Sequence, residues 1–402
     1  MKEPKIRFKG FQGEWEETTL ANVGKCFSGI GFPETEQGRK KGIPFYKVSD
    51  MNNIGNEKVL SNSNNYVTEE QVNKNGWKVC NDVPAIYFAK VGAAVLLNRK
   101  RLVLKPCLCD NNTMLYSFDK KVWDTYFCQS YFETIDLASL VQVGSLPSYN
   151  ASMVGEVNVS LPDIDEQKAL GAYFQHLDSL IQSTTKKIES LKQVKAASLQ
   201  SMFPQEGETT PRVRFKGFEG EWEKVRASNV FKTFNEKNRP DLPVLSATQD
   251  RGMVTRESIG YNIFHDKSNE ATYKHILPGQ FIIHLRSFQG GFAHSSIEGI
   301  ASPAYTIMEF KDKTRHFDLY WKYIFVSKEF IKRLELITYG IRDGRSISFE
   351  EFSEMYFTVP SYEEQKKIAS YITTLDRQIT LQIQRLEKLK QIKAACLDEM
   401  FV

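Results

Sequence analysis

Two stretches of the chain carry apolar residues at spacings that alternate between four and three. In the first, one row runs Leu170, Leu177, Thr184, Leu191 and its partner row runs Phe174, Ile181, Ile188. In the second, the rows are Ile368, Leu375, Gln382, Leu389 and Ile372, Ile379, Leu386. This is the heptad spacing of a coiled-coil seam. Both seams are broken at the same place by a polar residue, Thr184 or Gln382, of the kind that fixes register at a cost in stability. Each stretch opens with a start signal. Asp163 and Ser361 stand three residues before Glu166 and Glu364, the spacing at which the first side chain caps the N3 amide and the Glu reaches back. Gln167 and Gln365 follow directly, and Pro162 and Pro360 disfavour helix upstream. Residues 166–202 would span about 55 Å as a helix. A stripe that long needs a partner, and the other copy is in the same chain. The two helices are predicted to pack lengthwise. They run antiparallel if the halves are related by a pseudo-twofold axis, with Thr184 and Gln382 close together near that axis.

Between these helices the pattern shifts to short apolar runs. Residues 44–48, 85–91 and 93–97 read as strands in the first half, and 242–246, 280–285 and 304–308 in the second. Aromatic-rich stretches at 122–132 and 317–330 read as helices packed on a sheet. The fold class expected is α+β (mixed α/β). It comprises two globular domains joined by two long antiparallel coiled-coil helices with pseudo-twofold symmetry.

The helices are one part of a larger duplication. Residues 4–16 read PKIRFKGFQGEWE and residues 211–223 read PRVRFKGFEGEWE. The closing helices share Asp178/Asp376, Leu-Lys-Gln at 191–193 and 389–391, Lys-Ala-Ala at 195–197 and 393–395, and Met202-Phe203/Met400-Phe401. The intervening stretches, about 17–160 and 224–357, show no convincing mutual similarity. The chain therefore divides into a first variable domain (1–160), a long helix (161–203), a Pro- and Gly-containing linker (204–210), a second variable domain (211–358) and a second long helix (359–402).

Composition narrows the class. The 402 residues are 41% hydrophobic and 25% charged, as in a folded chain, with a net charge of only +4. The variable stretches hold a small positive excess: 19 basic against 17 acidic residues in 1–160, and 22 against 19 in 211–356. No apolar run reaches the ~18 residues of a membrane span. The six cysteines form no CxxC pair and fit free thiols in a reducing cytoplasm. Several chemistries lack their motifs: no GxxxxGK[ST] loop, no glycine-rich nucleotide fingerprint, no [ND]PP[YFW] tetrapeptide and no HExxH. Pro162-Asp163 with Glu166-Gln-Lys168 mimics a nuclease pattern, but those elements belong on separate strands, and here they adjoin at a helix start. No catalytic or metal-ligating residue is expected.

Polar clusters beside the strand-like runs are the binding candidates. In the first domain these are Tyr46, Lys47, Asp50, Asn52, Lys90, Asn98, Arg99, Lys100, Arg101, Tyr149 and Asn150. In the second they are Ser246, Thr248, Gln249, Arg251, Arg286, Ser287, Gln289, Arg342 and Arg345. Arg and Gln read guanine and adenine edges bidentately, and the glycines beside them let backbone approach a ligand closely. Each group reads equally as a polar turn.

The duplicated layout resembles the specificity (S) subunit of type I restriction–modification enzymes. The marks are the two P-x-x-x-E-Q-K helix starts (Pro162 to Lys168, Pro360 to Lys366), the paired long helices and the two dissimilar domains. The lead-in tag with Arg7, Phe8, Phe11 and Trp15, and its copy, is similar to those of many members. Lys90-Val-Gly92 resembles a motif of one recognition-domain subtype. Residues 285–291 with Ser302-Pro-Ala-Tyr305 resemble that of another. The resemblance implies that each variable domain is a target recognition domain reading one half of a bipartite, asymmetric site on double-stranded DNA. It implies that the helices act as a spacer and dock two methyltransferase (M) subunits. Restriction (R) subunits would join through the assembled complex. It implies no catalysis and no cofactor in this chain, the partner subunits using S-adenosylmethionine, ATP and Mg. The alternative reading is a coiled-coil scaffold or adaptor whose end domains bind protein or small ligands.

Overall fold

A computed structural model describes residues 3–141, 146–205, 207–248, 251–259, 267–284, 291–338 and 347–402. The two heptad stretches form helices of 38 and 39 residues, Ile164–Ser201 and Tyr362–Met400. In space the chain divides into two compact units, of which the first is assembled from both ends of the sequence. One contains residues 1–186 and 384–402, the other residues 187–383. Each long helix therefore begins in one unit and ends in the other.

The first unit is built on a four-stranded antiparallel sheet. Its strands are β1 (Gly24–Ser28), β2 (Ala85–Ala89), β3 (Lys100–Val103) and β4 (Thr113–Phe118), in the order β1-β4-β2-β3. Helix α1 (Thr125–Thr134) lies over it, capped by Asp124, whose Oδ1 accepts from the amides of Tyr126 and Phe127. The run at 93–97, expected as a strand, is instead a 3-10 turn, Ala93–Leu97. Gly92 enters it at φ +86° and Asn98 leaves it in the left-handed region at φ +49°, so the chain turns where a strand would have continued. A short strand after the tag, Glu16–Thr19, pairs antiparallel with Asn158–Leu161 and leads the chain into α2 (Ile164–Ser201).

The second unit repeats this plan without repeating the sequence. Its main strands are β5 (Phe231–Phe234), β6 (Phe281–Ile283), β7 (Phe292–His294) and β8 (Thr306–Phe310), in the order β5-β8-β6-β7, again antiparallel throughout. Helix α3 (Asp318–Phe325) follows the last strand, as α1 does. Glu223–Arg226 pairs with Tyr356–Val359 and leads into α4 (Tyr362–Met400).

The long helices are anchored at both ends by the repeated residues. Asp163 Oδ1 caps the amides of Asp165 and Glu166, and Ser361 Oγ caps that of Glu364. The predicted reach-back by the Glu is replaced by a stronger contact. Arg7 donates from Nε and Nη2 to the two oxygens of Glu166, both at 2.7 Å, and also to the carbonyls of Gln12 and Gly13. Arg214 does the same to Glu364 and to Glu219 and Gly220. The next residue ties each helix to its domain. Gln167 accepts from the Asp124 amide and donates to the carbonyls of Val122 and Pro162. Gln365 accepts from Phe317 and donates to Arg315 and Pro360. Every polar atom of these buried amide groups that bonds is matched, which is what makes burial of Glu-Gln tolerable.

The core of the first unit packs Leu170, Phe174 and Leu177 of α2 with Met400 and Phe401 at the end of α4, around Trp15, Phe127 and Tyr131. That of the second packs Ile368 and Ile372 of α4 with Met202 and Phe203, around Trp222 and Tyr320. Within each unit the start of one long helix thus lies against the end of the other, so the helices run antiparallel. The repeated polar landmarks are reciprocal partners. Lys393 pairs with Asp178 in one unit and Lys195 with Asp376 in the other. Of the seam positions, Ile188 is buried, and Ile181, Leu191, Ile379, Leu386 and Leu389 are half-buried. Thr184 is buried, Gln382 is half-buried, and they fall in different units.

Gly171 breaks the apolar continuity of α2 for a steric reason. A Cβ there would lie 2.4 Å from Asp124 Oδ1 and 2.6 Å from the Phe127 amide, inside the cap of α1. Gly171→Ala is therefore expected to destabilise by about 1–3 kcal/mol through overpacking, outweighing the roughly 1 kcal/mol that Ala adds to a helix. A denaturation midpoint at or above that of the parent chain would refute this.

Candidate nucleic-acid interface

In the first unit, β3 is an edge strand of the sheet, and a polar loop covers that edge. The amide of Leu60 donates to Leu102 and that of Leu102 to the carbonyl of Lys58, both at 2.9 Å. The remainder of the loop is held by buried polar side chains. Asp50 accepts from the amides of Lys47 and Asn64 and from Asn53 Nδ2. Asn56, fully buried, donates to the carbonyls of Asp50 and Asn62 and accepts from both Ser61 and Asn62. Such a loop is ordered before any ligand arrives, which lowers the entropic cost of binding. It displays Asn52 and, beside it, Ile54, which is 93% exposed.

The candidate residues divide on this geometry. Arg99 Nη1 donates to Asn52 Oδ1 at 2.7 Å, so these two form one surface. Lys100 and Arg101 stand on β3 opposite Phe88 and Tyr87. Asn98 is half-buried and shapes the turn, its Oδ1 accepting from Lys100 Nζ and the Leu137 amide. Lys47 reaches Gln37 Oε1. Residues 90–92 and 147–149 meet through backbone: Gly92 donates to Pro147 and Tyr149 to Lys90. Asn150 caps the short helix that follows, accepting from Met153. Three expected contacts are corrected. Tyr46 and Tyr149 are buried and donate to the carbonyls of Leu60 and Ala89, and Asp50 is fully buried inside its loop. Their side chains support the surface and cannot reach a ligand outside it.

In the second unit, Leu245–Thr248 and Gly252–Thr255 form a hairpin. Ser246 and Thr248 are half-buried on it, and Arg251 is exposed at its turn. Thr248 Oγ1 donates to the Gly252 carbonyl and accepts from the Arg251 amide. Gly252 is required there: its φ is +72°, and a Cβ would lie 2.3 Å from the carbonyl oxygen of His294. Gln249, Arg286, Ser287, Gln289, Arg342 and Arg345 lie outside the described residues.

Sequence reasoning missed Lys58 and the loop architecture around Asn56. The signal was present as an unusual density of Asn over residues 52–65. Burial pushes Cys26 up to about 11 and Cys109 up to about 12, far from thiolate at neutral pH. Among the described residues no helix is long and apolar enough to cross a membrane.

Known proteins place this architecture. The family model described as type I restriction modification DNA specificity domain matches the chain twice, over residues 12–193 and 219–391. Two solved structures share its fold over nearly the whole length. One is the S subunit of a type I restriction–modification system from M. genitalium, at 12% identity and TM-score 0.62, covering 100% of this chain and 99% of that one. The other is a chain from a structure of the type I R-M system concerned with complex assembly and conformational transition. It shows 16% identity and TM-score 0.50, with 96% and 97% covered. The chain belongs to the type I restriction–modification DNA specificity family, with two copies of the specificity domain. Its role is DNA recognition within such a system, and the scaffold reading is not favoured.

Proposed function

We propose that each variable domain reads one half of a bipartite, asymmetric DNA site, with the paired helices setting the separation and docking two methyltransferase subunits. Restriction subunits join through that assembly. The chain itself catalyses nothing, and S-adenosylmethionine, ATP and Mg belong to the partners. The observation that carries this reading is the contrast between the two units. Their sheets share one strand order and their helix anchors are duplicated bond for bond, yet the loops beside the sheets differ in sequence. A duplicated frame holding two unlike surfaces suits a site whose halves are alike in placement and unlike in sequence. Exposed Leu381, Ile383 and Ile392 on α4 support a partner at the helices.

A helix of about 55 Å corresponds to roughly 16 base pairs at 3.4 Å each. The half-site centres are expected about one DNA turn apart. The test is methylation mapping in cells carrying this chain with its methyltransferase. The expected motif is two specified blocks of roughly 3–5 base pairs around an unspecified gap of roughly 5–8. A continuous palindrome would refute the reading. Asn52→Ala is expected to relax only one block, and Arg286→Ala with Gln289→Ala only the other, each lost contact being worth about 1–3 kcal/mol of discrimination.

A further inference from the structure

The strongest unexplained feature lies behind the reading loop. A cavity of about 210 Å³ is bordered by Lys58, Arg99, Lys100, Arg101, Gln129 and Glu133. Four cations face one carboxylate, and that carboxylate is already engaged. Glu133 accepts from Lys58 at 2.6 Å and from Lys393 at 2.9 Å. Among the described residues, no acidic side chain lies within ion-pair distance of Arg99, Lys100 or Arg101. Their contacts are neutral. Arg99 donates to Asn52, Lys100 to Asn98 Oδ1 at 2.7 Å and to the Ile135 carbonyl, and Arg101 to the Lys100 carbonyl at 2.8 Å. The Nε atoms of Arg99 and Arg101 are enclosed without an acceptor.

Folding has therefore gathered four cations in a concavity lined by one carboxylate, Glu133, with Asp136 and Glu57 acting on Lys100 and Arg101 without pairing with them. Such an arrangement is costly by itself and favourable once an anion enters. Burial pushes the Lys100 amine down to about 8 and lowers Arg101 as well. A compact oxyanion with several acceptor oxygens suits the fork donors of two arginines.

We infer that this cavity takes one phosphate group of the DNA strand bound by the first variable domain, so that Arg99, Lys100 and Arg101 position the duplex while the Asn52 loop reads it. This rests on the DNA-recognition reading of the first unit. It assigns the basic run, a DNA-binding candidate in the sequence, to holding phosphate rather than reading bases. Arg99 joins the two roles, since its guanidinium also fixes the Asn52 side chain. Phosphate contacts set register and carry no sequence information, whereas base contacts specify.

Two measurements test it. In the first, the Lys100 side-chain signal of the full chain, assigned with Lys100→Met, is titrated by NMR with and without inorganic phosphate. Phosphate is expected to raise the Lys100 pKa by about one unit or more, and chloride at equal ionic strength to leave it. No shift with phosphate overturns the inference. A shift with phosphate that cognate duplex does not reproduce would mark a free-anion site and overturn the DNA assignment. In the second, duplex binding is followed against salt for the chain assembled with its methyltransferase subunits. Arg101→Gln and Lys100→Met are expected to weaken cognate and altered duplexes by the same factor. They should also reduce the slope of log K against log salt by about 1. An unchanged slope, or a loss confined to particular base pairs, overturns it. So does loss of subunit assembly with duplex binding intact, which would mean an acidic partner surface fills the cavity. If the DNA reading itself were wrong, the unmodified assembly would show no sequence-specific binding, an outcome distinct from all of these.

Discussion

Lys393→Met is expected to destabilise the first unit by about 2–3 kcal/mol, because it strands buried carboxylates while keeping the aliphatic stem. Lys393 is 7% exposed and donates to Asp178 at 2.7 Å and to both oxygens of Glu133. Lys58 is the other cation of the group, reaching Glu133 at 2.6 Å and Asp178 at 3.4 Å. Two positive and two negative groups thus come from the reading loop, α1, α2 and α4. Removing one cation leaves Lys58, which is more exposed and served by the same acids, to balance two carboxylates. The cost therefore falls below that of a fully orphaned buried charge.

The dependence on pH separates this from a packing defect. Burial alone would raise the Glu133 carboxyl, but Lys58 and Lys393 together hold it below its usual range. A lowered carboxyl pKa contributes stability that is present above the unfolded value of about 4.3 and is lost as pH falls through the folded one. Burial would lower the Lys393 amine, but Glu133 and Asp178 hold it above its usual 10.5. That contribution is complete below the unfolded amine value and is lost only as pH rises through the folded one. The gap between parent and variant should hence be flat from about pH 6 to 9 and close on acidification through the carboxylate range. Urea midpoints across pH measure it. A gap that persists unchanged at pH 3 would place the effect in packing.

The scaffold was legible because its signals are periodic or repeated. The heptads at 170–191 and 368–389 announced helices whose observed bounds lie within a few residues of the reading. The duplicated landmarks marked contacts before their partners were known. Arg7, Glu166, Gln167, Asp178 and Lys393 all turned out to bond among themselves or to their own unit's backbone. The partner of each repeat was not legible. Asp178 bonds the Lys of the other repeat, 215 residues away, and no local pattern encodes that pairing. The binding surface was less legible still. Chemistry of residue type chose Tyr46, Asp50 and Tyr149 because each is polar and lies beside a strand. Burial decided otherwise, since a Tyr offers an apolar ring as readily as a hydroxyl. Lys58 was passed over because a lone lysine in a polar loop carries no signal until the fold sets Glu133 against it. The shared strand order of the two units was invisible in sequence for a related reason. A sheet needs apolar residues on its covered face, and many sequences satisfy that.

The second large effect belongs to the tag. Arg7→Ala is expected to cost about 3–5 kcal/mol, since the Glu166 carboxylate, 1% exposed, loses both of the donors that Arg7 supplies to it. Arg7→Lys should recover less than half of the loss. One ammonium cannot reproduce two parallel bonds to the carboxylate together with those to Gln12 and Gly13. Combining Arg7→Ala with Glu166→Gln should be milder than Arg7→Ala alone, because the stranded charge is gone. If the two costs simply add, the pair is not the source of the loss. The duplication supplies an internal control that few proteins offer. Arg214 makes the same four bonds, two to Glu364 and two to the carbonyls of Glu219 and Gly220, in a unit whose recognition loops are unrelated. Arg214→Ala should therefore match Arg7→Ala to within about 1 kcal/mol, the scatter usual for one chemistry in two settings. Equal costs would mean that the frame is energetically as well as geometrically repeated, so that a recognition domain can diverge in sequence without disturbing its seat. A larger difference would mean that each domain has adjusted the strength of its own anchor.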